Sequence, residues 1–171
     1  MKINRILYCC FVLAASVTVA FAQGKTSLQY AAEGSKYYLE GEFTKAIPPY
    51  QKAVDLEKKE RKLAKPFWLA VVDNLGMAYG ITGDIKKSME VLEYGIKEEP
   101  TYPMFYHNMA CGYGELDDED NAIKYLRPAF KYKANMIEGE RFPNPETDSS
   151  FKRLMQRETF RKALAEMKSG K

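Results

Sequence analysis

Histidine is almost absent from this sequence. There is one, His107, in 171 residues, with three cysteines and one tryptophan. That is too few for a Cys/His zinc framework at any familiar spacing, so no metal site is expected. A phosphate-binding glycine loop is missing. The acids Asp117–Asp120 lack the Asp-x-Asp-x-Asp-Gly spacing of a calcium loop and read as a solvated turn leading into a helix. A large excess of one charge is also lacking: 26 Lys and Arg face 23 Asp and Glu, a net charge of +3. A dedicated polyanion binder needs a basic surplus, so no nucleic-acid partner is expected. What is there, 46% hydrophobic and 29% charged residues, is the composition of a folded globular chain.

The longest uncharged run sits at the start. Lys2 and Arg5 precede an uncharged stretch, Ile6 to Ala22, that ends in Ala20-Phe21-Ala22. A basic start, a short apolar run and a small-x-small end are the layout of a cleavable signal peptide over residues 1–22. The run is short for a membrane span and contains Ser16 and Thr18, so no stable membrane insertion is expected after cleavage. Cys9 and Cys10 lie too early for a lipoprotein site, and they leave with the signal. The mature chain keeps only Cys111, cannot form an internal disulfide, and must hold its fold with a hydrophobic core. The expected location is periplasmic or secreted.

The remainder shows helical periods and no convincing strand. Phe43, Ala46, Ile47, Tyr50, Ala53 and Val54 form one apolar stripe, and Val72, Leu75, Gly76 and Tyr79 another. Similar stripes run through Ile85–Ile96, Tyr106–Tyr113 and Ala122–Phe130, separated by turn signals at Gly41, Gly83, Pro100 and Asp117-Asp118. The stripes repeat: Gly76 and Ala110 are 34 residues apart, as are Tyr79 and Tyr113, Ser88 and Ala122, Leu92 and Leu126. A fixed period of helical hairpins argues for an array rather than a bundle.

With small, aromatic and small residues at these offsets, the chain resembles the tetratricopeptide repeat family, and in particular exported bacterial members with an end-of-array segment. Residues 69–102 carry the fullest set of identities (Leu75, Gly76, Tyr79, Pro100), with Gly83 at the turn. Residues 27–60 carry Gly34, Tyr37, Gly41, Ala46, Tyr50 and Ala53, and residues 103–136 carry Tyr113, Ala122 and Ala129 with Asp117 in place of the turn glycine. The resemblance implies an all-α, right-handed α-solenoid of three hairpins. Slim residues at each crossing (Gly34/Ala46, Gly76/Ser88, Ala110/Ala122) would let the helices approach, with Tyr37, Tyr79 and Tyr113 as core.

Three irregularities carry further expectations. Gly34 to Gly76 spans 42 residues, a surplus near Glu60–Trp68 that lengthened α-helices on either side would absorb, with Pro66 opening the later one. Pro48-Pro49 should delay a helix start and Pro128 should bend one. Residues 137–148 read as a surface connection, and 149–169, with Phe151, Leu154, Phe160 and Leu164 at helical spacing, as a cap over the last apolar face.

No enzymatic constellation is evident. Cys111 lies one turn from His107, but no oxyanion donor or orienting residue accompanies the pair. No catalytic residue and no cofactor is expected. By resemblance, the inner surface maps onto Tyr38, Asp73, Asn74, Met77, Ile81, His107, Asn108 and Cys111, with Ala31, Ser35, Leu39 and Glu115 beside them. Asn74 and Asn108 stand where family members often hold a peptide-bonding asparagine, whose amide offers donor and acceptor. The basic set that clamps a terminal carboxylate in chaperone-binding members is missing. The expected function is a non-enzymatic adaptor that takes a peptide segment or protein surface in its concave groove. The alternative is a structural subunit of an envelope assembly that works through its convex face or cap.

Overall fold

The computed structural model describes residues 24–170, so the expected signal peptide lies outside the described residues. Among the described residues seven α-helices run in order: α1 Ser27–Leu39, α2 Phe43–Lys59, α3 Lys65–Ile81, α4 Ile85–Glu98, α5 Pro103–Glu115, α6 Glu119–Lys131 and α7 Glu158–Ser169. Among the described residues there is no strand. The first six pair as hairpins α1/α2, α3/α4 and α5/α6, stacked so that α2 meets α3 and α4 meets α5, which makes an all-α solenoid.

Each hairpin begins and turns for local reasons. Thr26 and Gln29 form a capping box on α1, while Asp84 and Asp118 accept backbone N–H groups at the starts of α4 and α6. The first two turns use Gly41 and Gly83 at φ 75° and 89°. In the third, Asp117 adopts φ 60° without being glycine. Arg157, from the tail, braces it: Nη2 lies 2.7 Å from the Asp117 carboxylate and Nη1 donates to the Asp117 carbonyl at 3.4 Å. The C-terminal segment thus supports a turn that the repeat's own sequence leaves strained.

The hairpin seams depend on missing side chains. A Cβ on Gly34 would lie 2.6 Å from the Tyr50 ring, and one on Gly76 2.8 Å from Leu92. The tight approach is therefore to the bulky residue one turn beyond Ala46 and Ser88, not to those small residues themselves. This also corrects the tyrosines. Tyr37, Tyr79 and Tyr113 are half-buried at the edge of the core, whereas Tyr50 is fully buried. Edge placement leaves their hydroxyls free to reach polar partners, as Tyr79 does at Gln51, 3.3 Å away.

The surplus residues lengthen α2 and α3 to 17 residues each, against 13 in α1. The link between them is tied down by the buried Glu57, whose carboxylate accepts from the backbone of Lys62 and Leu63 at 2.9 and 3.0 Å. Arg61 lies over the Trp68 ring, 3.8 Å from its centroid, and pairs with Glu98. The expected delay at Pro48-Pro49 does not occur: α2 starts at Phe43 and runs through both. The carbonyls they leave unpaired belong to the exposed Thr44 and Lys45, which water can serve, while Ala46, Tyr50, Ala53 and Val54 hold the helix to the core. α6 likewise continues past Pro128.

Residues 137–148 depart from a plain surface connection. Pro145 is buried, Glu140 accepts from the Tyr102 hydroxyl at 2.9 Å, and Phe142 packs edge-on against His107 and Phe130. Asp148 caps a short 3-10 turn, Ser149–Phe151, by accepting from Ser150 N. Phe151, Leu154, Phe160 and Met167 then join Ala110, Ala122 and Leu126 in a second apolar cluster that closes the end of the stack.

Candidate functional site

A cleft of about 650 Å3 opens between the C-terminal halves of α3 and α5. Met77, Gly80 and Ile81 of α3 form one wall, with Ile85 and Ser88 from the start of α4. Asn108, Cys111, Gly112 and Glu115 of α5 form the other, and the tail residues Asp148, Ser149 and Ser150 close one end. Ile81 is half exposed and also borders a shallower hollow over the α1–α2 turn. The cleft is thus apolar on the α3 side and polar toward the tail.

Of the residues mapped by resemblance, Met77, Ile81, Asn108 and Cys111 line this cleft. Tyr38 sits beside it, packed edge-on against Phe43 and Tyr50, with its hydroxyl 3.5 Å from the Met77 sulfur. Burial pushes the Tyr38 hydroxyl up to about 12, with the Asp73 charge adding to the shift. Asn74 lies outside the lining and donates to the Tyr50 hydroxyl at 3.2 Å, which in turn donates to Ser35. Asp73 is buried and accepts from the Asn108 amide at 2.7 Å. Its carboxyl is pushed up to about 7, mainly by burial; the Asn108 hydrogen bond opposes this and the Glu140 charge adds to it. His107 is 1% exposed, enclosed by Phe142 and Phe151. Asp73 and His107 share the register of Ala31, which is also fully buried, and in all three hairpins this position faces into the stack.

His107 and Cys111 do come together, and the tail brings Asp148 to them. The sulfur lies 3.5 Å from His107 Nδ1 and 3.6 Å from the Asp148 carboxylate. Burial raises the thiol pKa well above its usual value, with Asp148 adding to the effect, and burial lowers that of the imidazole. A neutral thiol beside a neutral imidazole is the reverse of an activated thiolate pair. Sequence spacing could not reveal Asp148 here, because nothing periodic links residue 148 to residue 107. The tail's share of the cleft was equally hidden. Gly80 and Gly112 were readable only as small residues on a helix.

Residues 105–136, the third hairpin, match the family model described as tetratricopeptide repeat. The fuller set of pattern identities read in residues 69–102 lies outside that match. Among solved structures, PcrH from Pseudomonas aeruginosa is similar with a TM-score of 0.57 and 17% identity, over 88% of this chain and 99% of that one. The Sgt2 TPR domain from Aspergillus fumigatus is similar with a TM-score of 0.56 and 18% identity, over 84% and 82%. No curated protein matches the chain. The chain has the fold of these tetratricopeptide-repeat structures, an all-α solenoid of helical hairpins, and residues 105–136 match the family's sequence model. This fold is generally a protein–protein interaction module and generally not an enzyme. No helix among the described residues is long and apolar enough to cross a membrane.

Proposed function

We propose that this chain is a non-enzymatic, exported adaptor that takes a peptide segment in the cleft between α3 and α5. The observation that carries the reading is the cleft itself: an open volume of about 650 Å3 with Met77, Ile81 and Ile85 on one side and Asn108 and the tail on the other. The apolar wall suits one inserted aliphatic or aromatic side chain. The Asn108 amide has one N–H committed to Asp73; its second N–H can serve a peptide backbone carbonyl. Export rests on the layout of residues 1–22 and places the partner in the periplasm or outside the cell.

Peptides selected from a displayed library on the purified protein, then titrated by fluorescence anisotropy, test this. Ile81→Glu is the variant of choice, because Ile81 is half exposed and lies outside both buried core clusters. Replacing Asn74 or Asn108 would strip the internal bonds to Tyr50 and Asp73. The expected result is at least a tenfold loss of affinity, about 1.4 kcal/mol. Unchanged affinity in Ile81→Glu would refute the cleft and favour contact through the convex face or the cap of an envelope subunit.

A further inference from the structure

The geometry points to a divalent transition-metal site of the zinc class, held by His107, Cys111 and Asp148, with its fourth position open to the cleft. One ligand atom from each of the three lies within 4.8 Å of the other two. Neighbouring ligand atoms in a tetrahedral zinc site are roughly 3.3–3.8 Å apart, from metal–ligand distances of about 2.0–2.3 Å. The sulfur-to-carboxylate separation here is 3.6 Å and that from His107 Nε2 to the Asp148 carboxylate is 3.9 Å. The donor set mixes soft sulfur, imidazole and carboxylate, which suits zinc or cobalt better than calcium or magnesium.

An independent observation also points to a ligand. His107 Nε2 is buried without any hydrogen-bond partner, in a residue 1% exposed. Leaving such an atom unpaired is unfavourable. With Nδ1–H turned toward the Asn108 amide oxygen, 3.4 Å away, Nε2 presents a lone pair to the Asp148 carboxylate. In that tautomer a cation between the two atoms, 3.9 Å apart, would satisfy both. Asn108 in turn donates to Asp73 at 2.7 Å, so the imidazole is oriented by a relay of the kind that fixes metal-bound histidines. Binding would take the thiol to the thiolate and release its proton to solvent. Cys111 and Asp148 both line the cleft, which leaves the remaining coordination position on that side.

The probe is Co2+ added to the metal-free full chain, followed by Zn2+. A thiolate-to-cobalt charge-transfer band in the near ultraviolet, displaced by one equivalent of zinc, is expected, together with a rise in melting temperature on adding zinc. Cys111→Ser should lose the band, and Asp148→Asn should weaken cobalt binding at least tenfold while keeping the wild-type circular dichroism. Absence of the band in the wild-type chain overturns the proposal. So does its survival in Cys111→Ser, where Cys9 and Cys10 are the thiols left, or equal affinity in Asp148→Asn. The readout is metal, not peptide, so failure here leaves the cleft reading untouched.

Discussion

Gly80 and Gly114 hold the same place in successive hairpins, 34 residues apart and four residues after Gly76 and Ala110. Their surroundings differ completely. Beside Gly80 is the open cleft, with only Ser88 Oγ, 3.4 Å from where a Cβ would stand. Beside Gly114 is the tail, and a Cβ there would lie 2.5 Å from the Ser150 carbonyl oxygen and 2.9 Å from the Phe151 ring. In the first hairpin the equivalent place belongs to Tyr38, whose own ring fills the gap. One register thus has three fillers: a side chain, nothing, and backbone from elsewhere in the chain. A groove in this molecule is where the repeat leaves a gap that the tail borders but does not fill.

The strongest way to break that comparison is to lift the tail. Phe151 is fully buried, packs at a tilt against Phe160 with ring centroids 5.6 Å apart, and meets His107 edge-on. Phe151→Ala should destabilise the protein by about 3–5 kcal/mol in urea unfolding, since it empties a core site between α5 and α7. A loss under about 1 kcal/mol would mean that the tail rests on the third hairpin without belonging to its cooperative unit.

A second contrast follows the register of Asp73 and His107, both ionisable and both buried. The folded-state pKa of Asp73 stands at about 7 against the ordinary 3.8, so the native state holds that proton more tightly than the unfolded chain. Stability from this group is full below about pH 4 and is lost as pH rises to about 7, by up to about 4 kcal/mol. His107 runs the other way: its pKa is lowered below 6.5 by burial, so stability falls as pH drops below that value. Asp73→Asn keeps an acceptor for Asn108 and removes the first slope only. Between about pH 4 and about pH 8 the variant should gain on the wild type, as measured by urea unfolding at both ends. A constant difference would show that Asp73 titrates alike in the folded and unfolded chain.

The array was legible because its determinants are local and periodic. Gly34, Gly76 and the stripes through Tyr50 and Leu92 declare the seams, and the 42-residue gap declares the longer α2 and α3. The burial of Asp73 and His107 has a trace in the sequence too: the same register holds Ala31 in the first hairpin, a small apolar residue where a groove position would tolerate anything. Other features leave no periodic trace. Glu57 is one acid among many until its carboxylate is seen to gather Lys62 and Leu63. Phe142, Asp148 and Arg157 reach positions some 40 residues earlier through contacts that no spacing rule encodes. Met77 and Ile81 on α3 and Asn108 and Cys111 on α5 could therefore be placed from the repeat register, while Asp148, Ser149 and Ser150, which the tail brings to the cleft, could not.

The smallest perturbation is also the most discriminating, because one methyl group is added at equivalent places. Gly80→Ala replaces a helix-interior glycine, which favours the helix by up to about 1 kcal/mol. Its Cβ meets Ser88 Oγ at an ordinary contact distance, so the protein should become slightly more stable. The same methyl narrows the cleft floor, and a selected peptide should bind less tightly. In Gly114→Ala the same helical gain is set against a backbone oxygen at 2.5 Å, which cannot rotate away as a side chain could. Overpacking of roughly 1–3 kcal/mol should outweigh the gain, and the tail must shift. Thermal unfolding of both variants should give changes of opposite sign. Two stabilised variants would mean that Ser150 yields freely and that the third hairpin is as open as the second. Two destabilised ones would mean that the cleft beside Gly80 is filled in solution, and the reading of it as a binding site would go with it.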